Sequence, residues 1–412
     1  MQVTRKCPGG WHVPFEVSAR TERGFSGAGL RFTGFLVLVL GVLLGATTAG
    51  AREPAGHELD LVTPLQRFLE TTDVPGVSVA VLEKGHSTPR HHALGQACVN
   101  NPVPMEARSV VKLGSVTKML TALRVLMLAE AGQLDLDATV EAFFPDFPHA
   151  HRVTPRQMLS HTAGLPEVLA QPQVQAQPTR DWSAEALLAL VAWQALEFEP
   201  GSAQRYSNTG YLMLGQIIEA VGGEDYATQI TREVAAPLGM HQVLAGDDRT
   251  LVPGEACGHT VDAEGRLIRP LMTSMSLASA SGDLLGTARD VVRLVNMGQL
   301  LRDSPLERPA AAYRLADGTP AQREERFPAV DLAFVSSQLE GLALYALSGT
   351  GTEPRVLLGK DGLYPGYASW FLYDPLTETA VAVVINHEMR AMEAMRLAIE
   401  LLDQQRTARE KD

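Results

Sequence analysis

Gly114-Ser115-Val116-Thr117-Lys118 stands directly ahead of a long apolar run, Met119 to Ala131. The run reads as a buried helix, with Ser115 at its start and Lys118 one turn further on. Residues three apart share a helix face, so the hydroxyl and the amine can meet. A serine hydroxyl is a poor nucleophile at neutral pH and needs a base, and a lysine qualifies only where burial keeps it partly neutral. The helix N-terminus adds partial positive charge near the attacking oxygen. Alone, the pair reads as well as a helix N-cap beside a solvated lysine, so the partners decide. Tyr206-Ser207-Asn208 follows Glu199-Pro200-Gly201 and precedes a helical run. A tyrosine beside cations can act as a general base, and an asparagine can orient a lysine and donate to a substrate carbonyl. The competing roles are a half-buried loop aromatic for Tyr206 and an N-cap for Asn208. Lys360-Asp361-Gly362 lies between two strand-like runs. Gly362 lets the backbone approach a ligand, and the N–H just after it could complete an oxyanion hole with that of Ser115. A hairpin turn carrying a solvated lysine is the alternative.

The elements that must position these residues fall into a pattern. His57 to Thr72 has helical apolar spacing, and Pro75-Gly76 ends it. Val77 to Leu82 and His92 to Val99 read as a strand pair around Lys84-Gly85-His86-Ser87. Helices then dominate: one opened by Thr154-Pro155, one capped by Ser183, one from Asn208 to Val221, and others at 225–236 and 287–301. Strand signals return at 342–347, 356–358, 368–373 and 380–385, and Met389 to Asp403 closes as an amphipathic helix. The expected fold is mixed α/β (α+β): an antiparallel sheet built from N- and C-terminal segments, flanked by helices, with a mainly helical domain inserted. The expected boundaries are 57–140 and 336–405 for the sheet domain, 141–301 for the helical domain, and 302–335 for a charged, Pro-rich loop or insertion.

The chain has 412 residues, 45% of them hydrophobic, and a net charge of -12. That balance argues against nucleic acid as a partner. Phe32 to Ala51 carries no charge, and Ala49-Gly50-Ala51 fits a small-residue cleavage site. Residues 1–51 are therefore expected to be a leader with a signal peptide and the protein to be exported, periplasmic or extracellular. If uncleaved, 32–51 is long enough for a membrane tether. Three cysteines, Cys7, Cys98 and Cys257, show no metal-ligand spacing. Export permits a disulfide between the last two. Neither a metal nor an organic cofactor is expected. His161 reads as a loop hydrogen-bonder, and Trp182, Trp193 and Trp370 as packing residues.

Taken together, Ser115-Val116-Thr117-Lys118, Tyr206-Ser207-Asn208 and Lys360-Asp361-Gly362, in that order, resemble the serine β-lactamase-like family. The resembling branch holds class C β-lactamases, D-amino-acid-releasing peptidases and related esterases. Met158 to Leu165 and Ala280 to Asp290 also look familial, and the resemblance runs from about Leu61 to Leu402. It implies a β-lactamase/transpeptidase-like fold and an acyl-enzyme formed on Ser115. Lys118 and Tyr206 would share the proton shuttling, and Asn208 would hold the substrate amide or carbonyl. Lys360 would tune Tyr206 and favour an anionic group. The N–H groups of Ser115 and Leu363 would stabilise the oxyanion.

The third motif departs from the family pattern, because Asp361 stands where a Thr, Ser or Gly is usual. An aspartate there repels a substrate carboxylate, attracts an ammonium, or points away. Leu363-Tyr364-Pro365-Gly366-Tyr367 adds apolar and aromatic surface beside it. The sequence thus points to an exported serine hydrolase acting on a small ester, amide or peptide, esterase-like or peptidase-like. The alternatives are a class C-type β-lactamase or penicillin-binding DD-peptidase, and a non-catalytic scaffold or binding protein that keeps the fold.

Overall fold

Along Gly76–Glu83 (β1), Val77, Val79 and Val81 pack to one side and Ala80 and Leu82 to the other, as strand alternation requires. A strand apolar on both faces belongs in the middle of a sheet covered on both sides. The computed structural model describes residues 59–301 and 356–409, with short backbone strands at 5–6, 12–13, 325–327, 332–335 and 345–349. In it β1 pairs with Arg90–Cys98 (β2), which pairs in turn with Val103–Pro104 (β3). On its other edge β1 pairs with a strand from the far end of the chain.

Further along lie Val111–Lys112 (β4), Leu244–Ala245 (β5) and Leu284–Gly286 (β6), and the separate two-stranded pair Thr260–Val261 with Leu267–Ile268 stands between the last two. Then follow Glu325–Phe327 (β7), Leu332–Val335 (β8), Tyr345–Gly349 (β9), Val356–Tyr364 (β10), Tyr367–Asp374 (β11) and Thr379–Ile385 (β12). The main sheet has the order β7-β8-β9-β10-β11-β12-β1-β2-β3. Every pairing in it is antiparallel, with Val81 opposite Val381 where the two ends of the chain join. The sheet is thus built from both ends, as expected. Of the segment expected to be a loop or insertion, 302–335, only β7 and β8 are described, and there it is sheet rather than loop. Of the expected leader, residues 1–51, only the short paired strands at 5–6 and 12–13 are described, and the uncharged stretch 32–51 lies outside the described residues.

One face of the sheet is covered by Val62–Thr71 (α1) and the C-terminal helix (α6, Ala391–Arg409). Leu65, Phe68, Val79, Trp370, Val383 and Leu401 belong to the single apolar cluster between them. The other face meets a helical layer that includes Thr117–Glu130 (α2), Pro155–Leu159 (α3), Ala184–Val191 (α4) and Asn208–Gly222 (α5). Thr154 and Gln157 cap α3 reciprocally, with Pro155 at its first position. Leu59–Asp412 closes as one compact unit. Two ties hold its layers in register. The small sheet β4-β6-β5 joins the residues just before Ser115 to the segment 244–286. A disulfide joins Cys98 at the end of β2 to Cys257.

Candidate active site

Ser115 sits in a short 3-10 turn, Gly114–Val116, that runs straight into α2. Lys118 lies in the first turn of α2 and is fully buried. Its Nζ donates to Ser115 Oγ at 3.2 Å, to Asn208 Oδ1 at 2.8 Å and to the Ser281 carbonyl at 2.6 Å. Burial, and next the Lys360 ammonium, hold the Lys118 amine well below the usual lysine range, against an opposing pull from Glu167 and Asp361. The three contacts suit both protonation states. An ammonium donates to all three. A neutral amine keeps two donors for the closer Asn208 and Ser281 oxygens and turns its lone pair to the serine hydroxyl. That second state is a serine with a base already in place.

Tyr206 brings a second group to the same oxygen: its hydroxyl donates to Ser115 Oγ at 2.8 Å. The ring is flanked by two amines, Lys118 Nζ at 4.9 Å and Lys360 Nζ at 5.4 Å from its centroid. His161 stacks on it at 4.4 Å. The His161 Nδ1 accepts the Ser207 N–H at 3.2 Å, so the imidazole carries its proton on Nε2. Burial, then Lys118 and Lys360, hold this histidine well below the usual range and keep it neutral. His161 is therefore a loop hydrogen-bonder, as read from sequence, and also the backing for Tyr206. Ser207, not Asn208, caps α5, accepting the Gly210 N–H, and this leaves the Asn208 amide for the crevice.

Lys360, Asp361 and Gly362 lie inside β10, not in a hairpin turn. The turn is made just past the strand's end by Pro365-Gly366, where Gly366 takes a positive φ of 88°. The strand reaches Ser115 because two glycines let the backbones touch. A Cβ on Gly362 would fall 1.9 Å from the Leu113 carbonyl oxygen, and one on Gly114 2.4 Å from that of Leu363. Ser369 Oγ donates to the Leu113 carbonyl at 2.8 Å and pins the contact. Tyr364 and Tyr367 close the hairpin, so Leu363, opposite Ala368, is a non-hydrogen-bonded position whose N–H turns away from β11. That places it beside Gly114 and Ser115, where an oxyanion could lie. Lys360 is not solvated: it is fully buried, and its Nζ donates to Asp361 Oδ1 at 2.7 Å and to the Asp361 carbonyl at 2.8 Å. Asp361 is therefore an ion-pair partner of the neighbouring lysine.

All the residues expected in the site, Ser115, Lys118, Tyr206, Asn208, Lys360, Gly362 and Leu363, thus meet in one crevice. Two participants escaped the sequence reading. Ser281 contributes only a carbonyl, which no side-chain pattern reveals. Glu167 accepts from the Asn208 backbone N–H at 2.8 Å and from its Nδ2 at 3.1 Å. Its position just after Gly164-Leu165-Pro166 was the available signal. Among the described residues, no cluster of His, Cys, Asp and Glu is arranged to hold a metal ion.

Residues 63–405 match the family model described as Beta-lactamase. Penicillin-binding protein 4* of Bacillus subtilis (strain 168) is 32% identical over 154 residues, 37% of this chain and 34% of that protein. Esterase EstB of Burkholderia gladioli is 30% identical over 231 residues, 50% of this chain and 58% of that protein. The D-aminopeptidase of Gluconobacter oxydans (strain 621H) is 25% identical over 333 residues, 78% and 57% of the two chains. The chain therefore spans less than two thirds of each of these curated relatives. Among solved structures, the D-amino acid amidase from Ochrobactrum anthropi SV3 complexed with L-phenylalanine amide superposes with a TM-score of 0.66 at 25% identity, covering 84% of this chain and 97% of that one. The ordered motifs, the sheet built from both chain ends and the family match agree: the chain belongs to the beta-lactamase family.

Proposed function

We propose that this protein is an exported serine hydrolase that cleaves an uncharged ester or amide through an acyl-enzyme on Ser115. The observation that carries the reading is the convergence of a buried amine and a phenol on one serine oxygen. Ser115 Oγ attacks the substrate carbonyl carbon, and its proton passes to the Lys118–Tyr206 pair, which titrates as a unit. Negative charge on the carbonyl oxygen is met by the Ser115 and Leu363 N–H groups. As the tetrahedral intermediate collapses, the bond to the leaving alcohol or amine breaks and the pair returns the proton to it. Water then attacks the acyl carbon by the same route in reverse. Asn208 has one amide N–H engaged by Glu167 and one left for a substrate carbonyl.

The Lys360–Asp361 pair supports an uncharged substrate, since a carboxylate brought to Lys360 would meet Asp361 as well. A second reading, a β-lactamase or penicillin-binding peptidase, is favoured by the name of the Bacillus subtilis relative. A non-catalytic scaffold has no need for a buried lysine aimed at a serine. Export is supported by the uncharged stretch at 32–51 and by the Cys98–Cys257 disulfide, a bond of oxidising compartments. The test is a hydrolysis panel of p-nitrophenyl butyrate, D-phenylalanine amide and a chromogenic cephalosporin, run with wild type and Ser115→Ala. The reading expects turnover of the ester or the amide that Ser115→Ala abolishes. Cephalosporin as the fastest substrate would favour the second reading.

A further inference from the structure

We infer that Glu167 is a positioning residue that fixes which way the Asn208 amide points and, through it, holds the Lys118 amine against Ser115. The inference rests on the proposed role of Ser115. The two ends of an asparagine amide have nearly the same shape, so only the partners choose the orientation. At one end stands a carboxylate, which can only accept. At the other stands the Lys118 amine, which must find acceptors for its remaining protons. One orientation satisfies both, with Nδ2 on Glu167 and Oδ1 on Lys118, and it is the one present. Turned over, the amide would set oxygen against carboxylate and NH2 against amine, with the Lys118 hold on Ser115 loosened as a result.

Glu167 is itself well placed for this task. Its Oε1 also accepts the Leu169 N–H at 3.0 Å, and its Oε2 takes the backbone N–H of Asn208 in the first turn of α5. The carboxylate thus faces the positive end of that helix, a stabilising contact. The loop that carries it does not depend on it. Thr209 Oγ1 donates to the Pro166 carbonyl at 2.6 Å and accepts the Val168 N–H at 2.9 Å. These tethers predict that the loop stays on α5 when the carboxylate is lost. The Glu167 charge also draws the Lys118 amine toward protonation, against burial and Lys360.

The experiment compares wild type, Glu167→Gln, Glu167→Asp and Ser115→Ala on p-nitrophenyl butyrate from pH 5 to 10, with active sites titrated by a fluorophosphonate. A glutamine side chain in place of Glu167 can donate to a turned-over Asn208 amide. Glu167→Gln should therefore lower kcat per titrated site about ten- to a hundredfold, with KM within about twofold. Its acidic limb should move to lower pH, because a charge that held the Lys118 proton is gone. Glu167→Asp keeps the charge and should keep the wild-type limb. Wild-type kcat per site and an unmoved limb in Glu167→Gln, with Ser115→Ala dead, would overturn the inference. So would a loss confined to the number of titratable sites, which would mark a purely structural role. Turnover surviving in Ser115→Ala would instead overturn the serine-hydrolase reading, independently of the Glu167 variants.

Discussion

The two faces of the main sheet solve opposite problems with the same strands. On the face toward α1 and α6, β1, β11 and β12 present Val77, Val79, Val81, Trp370, Leu372, Val381 and Val383 to a wholly apolar cluster. Its stability comes from area removed from water. The opposite face contributes Ala80, Leu82, Phe371 and Ala382 to the larger core, yet Lys118, Lys360 and His161 are buried on that side. Burying such groups is costly unless each finds partners, and here Asn208 and the Ser281 carbonyl serve Lys118, Asp361 serves Lys360, and the Ser207 N–H serves His161. Strand alternation therefore separates a face that holds the fold from a face that can carry chemistry. Polar groups embedded in the second side are activated by the burial that makes them expensive, as the lowered Lys118 shows.

The separation can be tested from its largest consequence downward. Lys118→Met should cut turnover about a thousandfold, with a modest effect on stability because the new side chain fills the same buried space. In wild type, activity should rise with pH as the Lys118–Tyr206 pair loses a proton. Because burial lowers Lys118, that limb should lie well below the ordinary lysine range, and a pH–rate profile reads both. On the opposite face, Leu401→Ala should cost about 2–5 kcal/mol of stability by urea or thermal unfolding, while kcat per titrated site stays at the wild-type value. A comparable fall in per-site kcat would break the separation.

Asp361→Thr should release Lys360 from its carboxylate. Acylation by a carboxylate-bearing cephalosporin should then rise about five- to tenfold relative to p-nitrophenyl butyrate, as measured by competition. An unchanged ratio would mean that the ion pair does not control selectivity. The smallest effect sharpens the comparison, because polarity on the chemical side is not all functional. Asp283 is buried with Oδ1 unpartnered, and burial pushes its carboxyl well above the usual range. A carboxyl whose folded pKa is raised binds its proton more tightly when folded, so it costs increasing stability as pH rises above the unfolded value. Asp283→Asn should match wild type near pH 4 and melt a few degrees higher at about pH 8. Equal melting temperatures at both pH values would show that Asp283 has a partner in solution.

Much of this arrangement was legible in the chain. The sheet built from both ends followed from where the β-branched runs lie, and the crevice from three short motifs in order. Lys360-Asp361-Gly362 reads as lying between two strands rather than inside one, because Gly362 weakens a strand signal. The close approach to Leu113 that demands this glycine is a tertiary fact. Asp361 was open to three readings from sequence, and only the neighbouring lysine chain, folded back onto it, chooses the ion pair. Ser281 acts through its backbone, which leaves no mark on residue type. Glu167 needs the loop 164–168 docked on α5 before its carboxylate has anything to hold.

The most direct test of an activated Ser115 is covalent. Wild-type protein treated with a fluorophosphonate should gain one adduct by intact mass, mapped to the peptide containing Ser115 and slowed by p-nitrophenyl butyrate. Ser115→Ala should gain none and hydrolyse no ester. An adduct mapping to another residue, or ester turnover undiminished in Ser115→Ala, would contradict the account.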